Sequence, residues 1–208
     1  MKQLVIVGAG GMGRTFYSNA LESVGYGNEF VIKGFINDYP SLGNFQNYPA
    51  IIGTIEDYEP MEDDVFICSI GDKLRKNCIE KIRAKGGKFI NLIHQTARLY
   101  TNVEIGVGNF IGAYTVIGND AKIGDFNMIQ SYTVIGHDDI IGDWNRIDTH
   151  VTCVGGIVIE NHVNIYTAAV IGHHVVVESE ANVGACSFLI RRVKFGTTVF
   201  GNPARKLI

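Results

Sequence analysis

The chain has 208 residues, enough for one large domain or two small ones, and carries a formal net charge of −3 with a pI near 6.1. That mild acidity excludes a basic surface for nucleic acid, and no apolar run approaches the roughly 18 residues a membrane span needs. The chain opens without a secretory leader pattern, and Cys68, Cys78, Cys153 and Cys186 form no CxxC pair, so a cytoplasmic protein with reduced thiols is expected.

The first element is the apolar run Lys2 to Val7, read as a buried parallel strand. Gly8-Ala9-Gly10-Gly11-Met12-Gly13-Arg14 follows, and the spacing predicts a helix over 15–24 behind it. A glycine-rich turn from strand to helix aims backbone N–H groups at a helix N-terminus, where phosphate is favoured, and Gly8, Gly10 and Gly13 fit G-x-G-x-x-G. Phe30 to Phe35 reads as the second strand, with Asn37-Asp38 just after it. A turn-rich stretch from Tyr39 to Pro49 comes next. Asp64 to Ile70 is expected as the third strand, ending in Ser69-Ile70-Gly71-Asp72. Lys73 to Lys85 is expected as a helix with Leu74, Cys78, Ile79 and Ile82 on one face, and Lys88 to Leu92 as a fourth strand. Residues 1–92 are half a doubly wound fold, room for one nucleotide rather than for NAD.

From Ile93 onward the period is six. Stepping by six from Ile93 gives eighteen apolar residues ending at Phe195, with no slip of register, and the next position is most often glycine, as at Gly106, Gly118, Gly136 and Gly172. Neither a helix nor an alternating strand has this period, whereas a hexapeptide repeat is the signature of a β-helix. Three hexads close one coil, so eighteen give six coils, and residues 18 apart stack about 4.8 Å apart. The glycine beside each aliphatic is expected to serve a corner with positive φ. Asn109, Asn127 and Asn145 share an inward fifth position and predict an amide ladder.

The same arithmetic sorts the chemistry. His137 is third in its hexad, facing out beside a corner, with Gly155 stacked above it, Asp138 beside it and Gly156 above Asp138. An imidazole next to a carboxylate under a two-glycine gap suits a general base near pH 7, and a glycine N–H there suits a developing oxyanion. His173, Arg191, Arg192, Lys194, Arg205 and Lys206 form a run of outward cations suited to phosphates. His150, His162 and His174 share a fourth position on three different faces and do not converge. Asp139 occupies an inward position between Ala121 and Ile157, costly for a lone carboxylate unless it is hydrogen-bonded, and is expected to brace the His137 corner.

G-A-G-G-M-G, F-I-N-D, S-I-G-D, N-L-I-H, the hexads and the terminal N-P-A-R, taken in order, resemble the bacterial N-acetyltransferases of nucleotide-linked 4-amino-4,6-dideoxy sugars, kin of the sialic-acid O-acetyltransferases. The most specific piece is V-I-G-H-D-D-I-I-G, residues 134–142. The resemblance implies a mixed fold: an α/β half-Rossmann nucleotide-sugar-binding domain over 1–92, then a left-handed parallel β-helix over 93–208. It implies an acetyl-CoA-dependent, metal-free acetyltransferase acting on a UDP- or dTDP-linked amino sugar for surface-glycan biosynthesis. His137 would be the base and Asp138 its partner. Gly10, Gly11, Met12, Asn37, Asp38 and Gly71 would contact the nucleotide sugar. Acetyl-CoA would pass Arg146, Gly155, Thr167 and Ala185 between two subunits of a homotrimer. The chain departs from the family pattern at Met12 and Arg146, where histidine is common, and at Asn37-Asp38, where Asp-Asp is frequent. The readings set beside this one are an O-acetyltransferase of the same build, a zinc-dependent carbonic-anhydrase-like enzyme, which needs three converging histidines, and a NAD-dependent oxidoreductase or nucleotide sensor.

Overall fold

The computed structural model describes residues 1–39, 42–71 and 74–207, so the expectations that fall on Pro40, Asp72 and Lys73 lie outside the described residues. The chain divides into two compact units, Met1–Leu92 and Ile93–Ile208.

In the first unit, five parallel strands stand in the order β3-β2-β1-β4-β5: β1 (Lys2–Val7), β2 (Phe30–Ile36), β3 (Ile51–Gly53), β4 (Asp64–Cys68) and β5 (Lys88–Phe89). Leu4 to Val7 and Phe66 to Ile67 are fully buried, as expected of strands covered on both faces. β3, just after the turn-rich stretch, was not foreseen, because three residues carry no legible period; it hydrogen-bonds along the end of β2.

Helix α1 runs Gly11–Leu21, four residues earlier than expected at its start and three earlier at its end. Gly10 is the N-cap and offers no side-chain bond, so the helix starts inside the glycine run itself. Two glycines are required there. Gly8 has φ +95°, and a Cβ on Gly13 would sit 2.1 Å from the Gly8 carbonyl oxygen. Helix α2 (Leu74–Ala84) buries Cys78, Ile79 and Ile82, together with Arg75, while Leu74 is exposed rather than part of the buried face.

The second unit is the left-handed parallel β-helix. Two-residue strands stack into three flat sheets with partners 18 residues apart, for example Ile117↔Ile135, Ile123↔Ile141 and Ile129↔Ile147. First-position aliphatics from Ile111 to Leu189 fill one continuous core with the small fifth-position residues. Each buried Ile contributes about 1.5–3 kcal/mol.

The corners do not work as expected. Positive φ falls at the fourth position, not the second: Tyr114, Asp120, Phe126, Tyr132, Asp138, Trp144, His150 and their counterparts have φ between 55° and 64°. The second-position glycines are needed for close approach instead. A Cβ on Gly118 would meet the Gly136 carbonyl carbon at 2.6 Å, and one on Gly124 the Asp143 carboxylate at 2.1 Å. Stacking of the fourth-position rings partly offsets the left-handed backbone they require: Tyr114–Tyr132–His150 stack at 5.1 and 5.0 Å, and Phe126–Trp144 at 4.6 Å.

The amide ladder is present. Asn109 Oδ1 accepts the Asn127 N–H at 2.8 Å, Asn127 Oδ1 that of Asn145, and Asn145 Oδ1 that of Val163. Asn145 Nδ2, at the top, is buried without a partner.

The register does slip, once, near the end. Val177 pairs with Val193 and Val183 with Val199, two residues short of the regular spacing. Val193 is therefore buried at 3% exposure while Phe195, read from the period as a core residue, is 62% exposed. Glu178 holds the shortened loop, accepting the Phe195 N–H at 3.0 Å and pairing with Arg192 and Lys194. Arg205–Lys206 then closes the edge as an antiparallel strand against Val199–Phe200.

Candidate active site

His137 projects from the corner that follows the strand Val134–Ile135, and both it and Asp138 are exposed. His137 Nδ1 lies 2.6 Å from Asp138 Oδ2. An ionised carboxylate only accepts, so Nδ1 carries the proton and Nε2 is left with its lone pair. The hydrogen bond to Asp138 is the main cause that holds the His137 pKa above its ordinary value. Gly155 pairs with His137 in the coil above, and a Cβ built on it would stand 2.8 Å from Nε2. The free imidazole nitrogen thus faces a place where only glycine leaves room. The Gly156 N–H is already taken by the His137 carbonyl at 2.9 Å.

Asp139 is fully buried. Its Oδ2 accepts the Gly136 N–H at 2.7 Å and its Oδ1 the Ile157 N–H at 2.9 Å. Burial raises its pKa despite these two bonds. Cys153 is completely buried and its thiol is pushed well up by desolvation, which makes it a poor nucleophile.

The other cofactor expectations separate. Gly155 shares the corner of His137, but Thr167 and Ala185 are exposed at the corner after the strands Asn164–Ile165 and Asn182–Val183, on another edge of the prism. Arg146 lies on the strand Arg146–Ile147, half-buried, with Nε 2.7 Å and Nη2 3.3 Å from the two oxygens of Asp148. Arg191, Arg192, Lys194 and Lys206 line a cavity of about 250 Å³ at the C-terminal end of the prism. His150 stacks on Tyr132 and His162 on Trp144, each on its own column.

In the first unit a cavity of about 590 Å³ opens over the glycine turn, and Gly10, Gly11, Met12, Asn37 and Asp38 all line it. Gly71 is exposed beside Ile70, which does line it. Nothing lies within 4 Å of a Cβ built on Gly10, so that face of the turn is open. Asn37 Oδ1 accepts the Ala9 N–H at 3.2 Å and its Nδ2 donates to the Tyr39 carbonyl at 2.8 Å, fixing the turn against the loop; Asp38 Oδ1 accepts the Ile55 N–H. The first residues of α1, Gly11 to Arg14, line this cavity, and a helix N-terminus favours an anion. Sequence reasoning missed another part of the lining, where the Arg14 guanidinium lies 3.6 Å over the Phe45 ring. The only signal was a cation directly after the glycine turn, since the loop bearing Phe45 has no period.

Residues 3–82 match the PglD N-terminal domain family. Over its whole length the chain superimposes on the acetyltransferase domain of PglB from Neisseria gonorrhoeae FA1090, with TM-score 0.90 and 26% identity, covering 100% of both chains. The first unit thus matches a PglD N-terminal domain, and the whole chain is similar to hexapeptide-repeat nucleotide-sugar acetyltransferases. That PglB domain has also been solved in complex with acetyl coenzyme A, at TM-score 0.89. PerB from Caulobacter crescentus, solved with CoA and GDP-perosamine, shares the fold at TM-score 0.88 and 21% identity, over 100% of this chain and 98% of that one. Among curated sequences, the uncharacterized protein L142 of Acanthamoeba polyphaga mimivirus is 33% identical over 97 residues, 46% of this chain; the chain spans only 19% of that protein's length.

Proposed function

We propose that the chain acetylates the 4-amino group of a UDP- or dTDP-linked amino-dideoxy sugar from acetyl-CoA, in the cytoplasm and for a surface glycan. The observation that carries this reading is the His137–Asp138 pair beneath Gly155.

In the proposed step the amine lone pair attacks the thioester carbonyl carbon while His137 Nε2 takes the N–H proton. The tetrahedral oxyanion is met by the Gly155 N–H, because the Gly156 N–H is already engaged. Collapse breaks the C–S bond, and the imidazolium returns its proton to the leaving CoA sulfur, so no covalent enzyme intermediate forms. Asp138 fixes the tautomer and stabilises the transient imidazolium.

The glycine-turn cavity is assigned to the nucleotide sugar, with its diphosphate at the N-terminus of α1. We assign acetyl-CoA to a groove between two subunits of a homotrimer, where Thr167 and Ala185 of one subunit would flank the His137 corner of the next. That arrangement accounts for their separation within one chain. A solution mass of one chain at micromolar concentration would contradict the trimer.

The deciding experiment measures thiol release from acetyl-CoA with UDP-, dTDP- and GDP-linked 4-amino sugars, beside their hydroxyl analogues and the His137→Ala variant. Release with one UDP- or dTDP-amino sugar, lost in the variant, is the expected result. Release only with a GDP-linked sugar would correct the nucleotide, and release only with a hydroxyl analogue would overturn N-transfer.

A further inference from the structure

In this β-helix the N–H of each hexad's second residue donates to a first-position carbonyl in the coil above. Gly118 donates to Ile135 at 2.9 Å, Gly124 to Ile141 at 2.8 Å, Gln130 to Ile147 at 2.9 Å and Gly142 to Ile159 at 2.7 Å. Among the described residues from Gly106 to Gly172, Gly136 is the exception: its N–H donates to Asp139 Oδ2. The strand pairing thins at the same place. Val134–Ile135 keeps two partners in the coil below, but only Val134↔Thr152 in the coil above. The wall is therefore opened one residue before His137, and a buried carboxylate replaces the missing backbone acceptor.

The other oxygen of Asp139 does what the asparagines do at another corner. It accepts the N–H of the residue 18 positions on, Ile157, as Asn109, Asn127 and Asn145 do for Asn127, Asn145 and Val163. Ile157 directly follows the Gly155-Gly156 gap. One carboxylate thus ties the turn that carries the base to the turn that leaves it room. Two acceptor oxygens are needed for this. An asparagine has one, and its NH₂ group would face a backbone N–H.

We infer that Asp139 is a positioning residue for the transfer: it holds the His137 turn, displaced from the regular prism, at a fixed height beneath Gly155, without touching substrate. This rests on the reading of His137 as the base.

The test uses the full chain and thiol release, with kcat and KM read separately for wild type, Asp139→Asn, Asp139→Val, His137→Ala and Asn127→Val. Asn127 provides the control, because it holds the same ladder bond at a corner away from His137. The expected result is a roughly tenfold lower kcat in Asp139→Asn, which keeps one acceptor, and a larger loss in Asp139→Val, with both KM values changed less than twofold. Asn127→Val lowers the thermal midpoint but keeps kcat per folded protein within twofold. Should Asp139→Val fail to fold, Asp139→Asn decides alone. Wild-type kcat in Asp139→Asn, or an equal kcat loss in Asn127→Val, would overturn the assignment. Full activity in His137→Ala would instead reject the base itself, whatever the Asp139 variants do.

Discussion

Replacing Gly155 with alanine puts one methyl group where the imidazole works. The new Cβ would stand 2.8 Å from His137 Nε2 and 3.1 Å from both Cδ2 and Cε1, about 0.6 Å inside the 3.4 Å where ordinary contact begins. His137 is exposed and can swing away, so the clash costs geometry more than stability. The backbone cost is separate: Gly155 has φ +153°, and forcing an L-residue there costs about 1–3 kcal/mol. For a chain of this size that lowers the thermal midpoint by about 2–4 °C per kcal/mol. Displacing a reacting group by close to 1 Å costs up to about 10²-fold in rate, so kcat should fall about 10- to 100-fold. Thiol release gives kcat and both KM values, and a thermal melt of the same sample gives the stability term. A folded Gly155→Ala enzyme with kcat within twofold of wild type would refute the reasoning, because Nε2 would then not act from beneath this glycine.

The glycine turn offers a paired contrast. Gly10→Ala meets no atom within 4 Å and should leave the thermal midpoint unchanged while raising KM for the nucleotide sugar about tenfold. Gly13→Ala puts its Cβ 2.1 Å from the Gly8 carbonyl oxygen and should unfold the first unit, read by circular dichroism and proteolysis. Asp138→Asn removes the partner that raises the His137 pKa. Because the base must be neutral, activity rises as pH climbs through that pKa; lowering it moves the acid limb of kcat/KM to lower pH, with a smaller plateau, and an unmoved limb would contradict this role. The register slip is checked by two truncations: Val193→Ala should cost about 1.5 kcal/mol in a urea melt, and Phe195→Ala less than about 0.5 kcal/mol.

The prism was legible because one period, repeated along half the chain, determines strand positions, stacking partners and the inward face together. It placed Gly155 over His137 and ordered the asparagine ladder. It misassigned the second-position glycines, because a repeat shows where glycine recurs but not whether dihedral freedom or lack of a Cβ is required. It also carried the register past Leu189, since Phe195 is as apolar as a core residue and the two-residue deletion shows only in the pairing of Val177 with Val193 and Val183 with Val199. In the first unit the glycine motif marked the turn, while the Arg14–Phe45 wall depends on tertiary contact with a loop of no pattern. Asp139 was visible as an oddity; its second bond, to Gly136, was not, because a sequence does not show which backbone amide has lost its regular acceptor.

The shortened last coil has a consequence for the final edge of the prism. A stack of like coils presents, on its final edge, the same row of backbone donors and acceptors that recruited every earlier coil, so it invites a second molecule to continue it. Here the final turn is two residues out of phase, and the strand Arg205–Lys206 runs antiparallel to its neighbour, alone among the described strand pairs. An incoming chain would find mismatched spacing, reversed polarity and two positive charges. The irregularity makes this edge a poor template for strand addition, and repetition alone would have made it a good one.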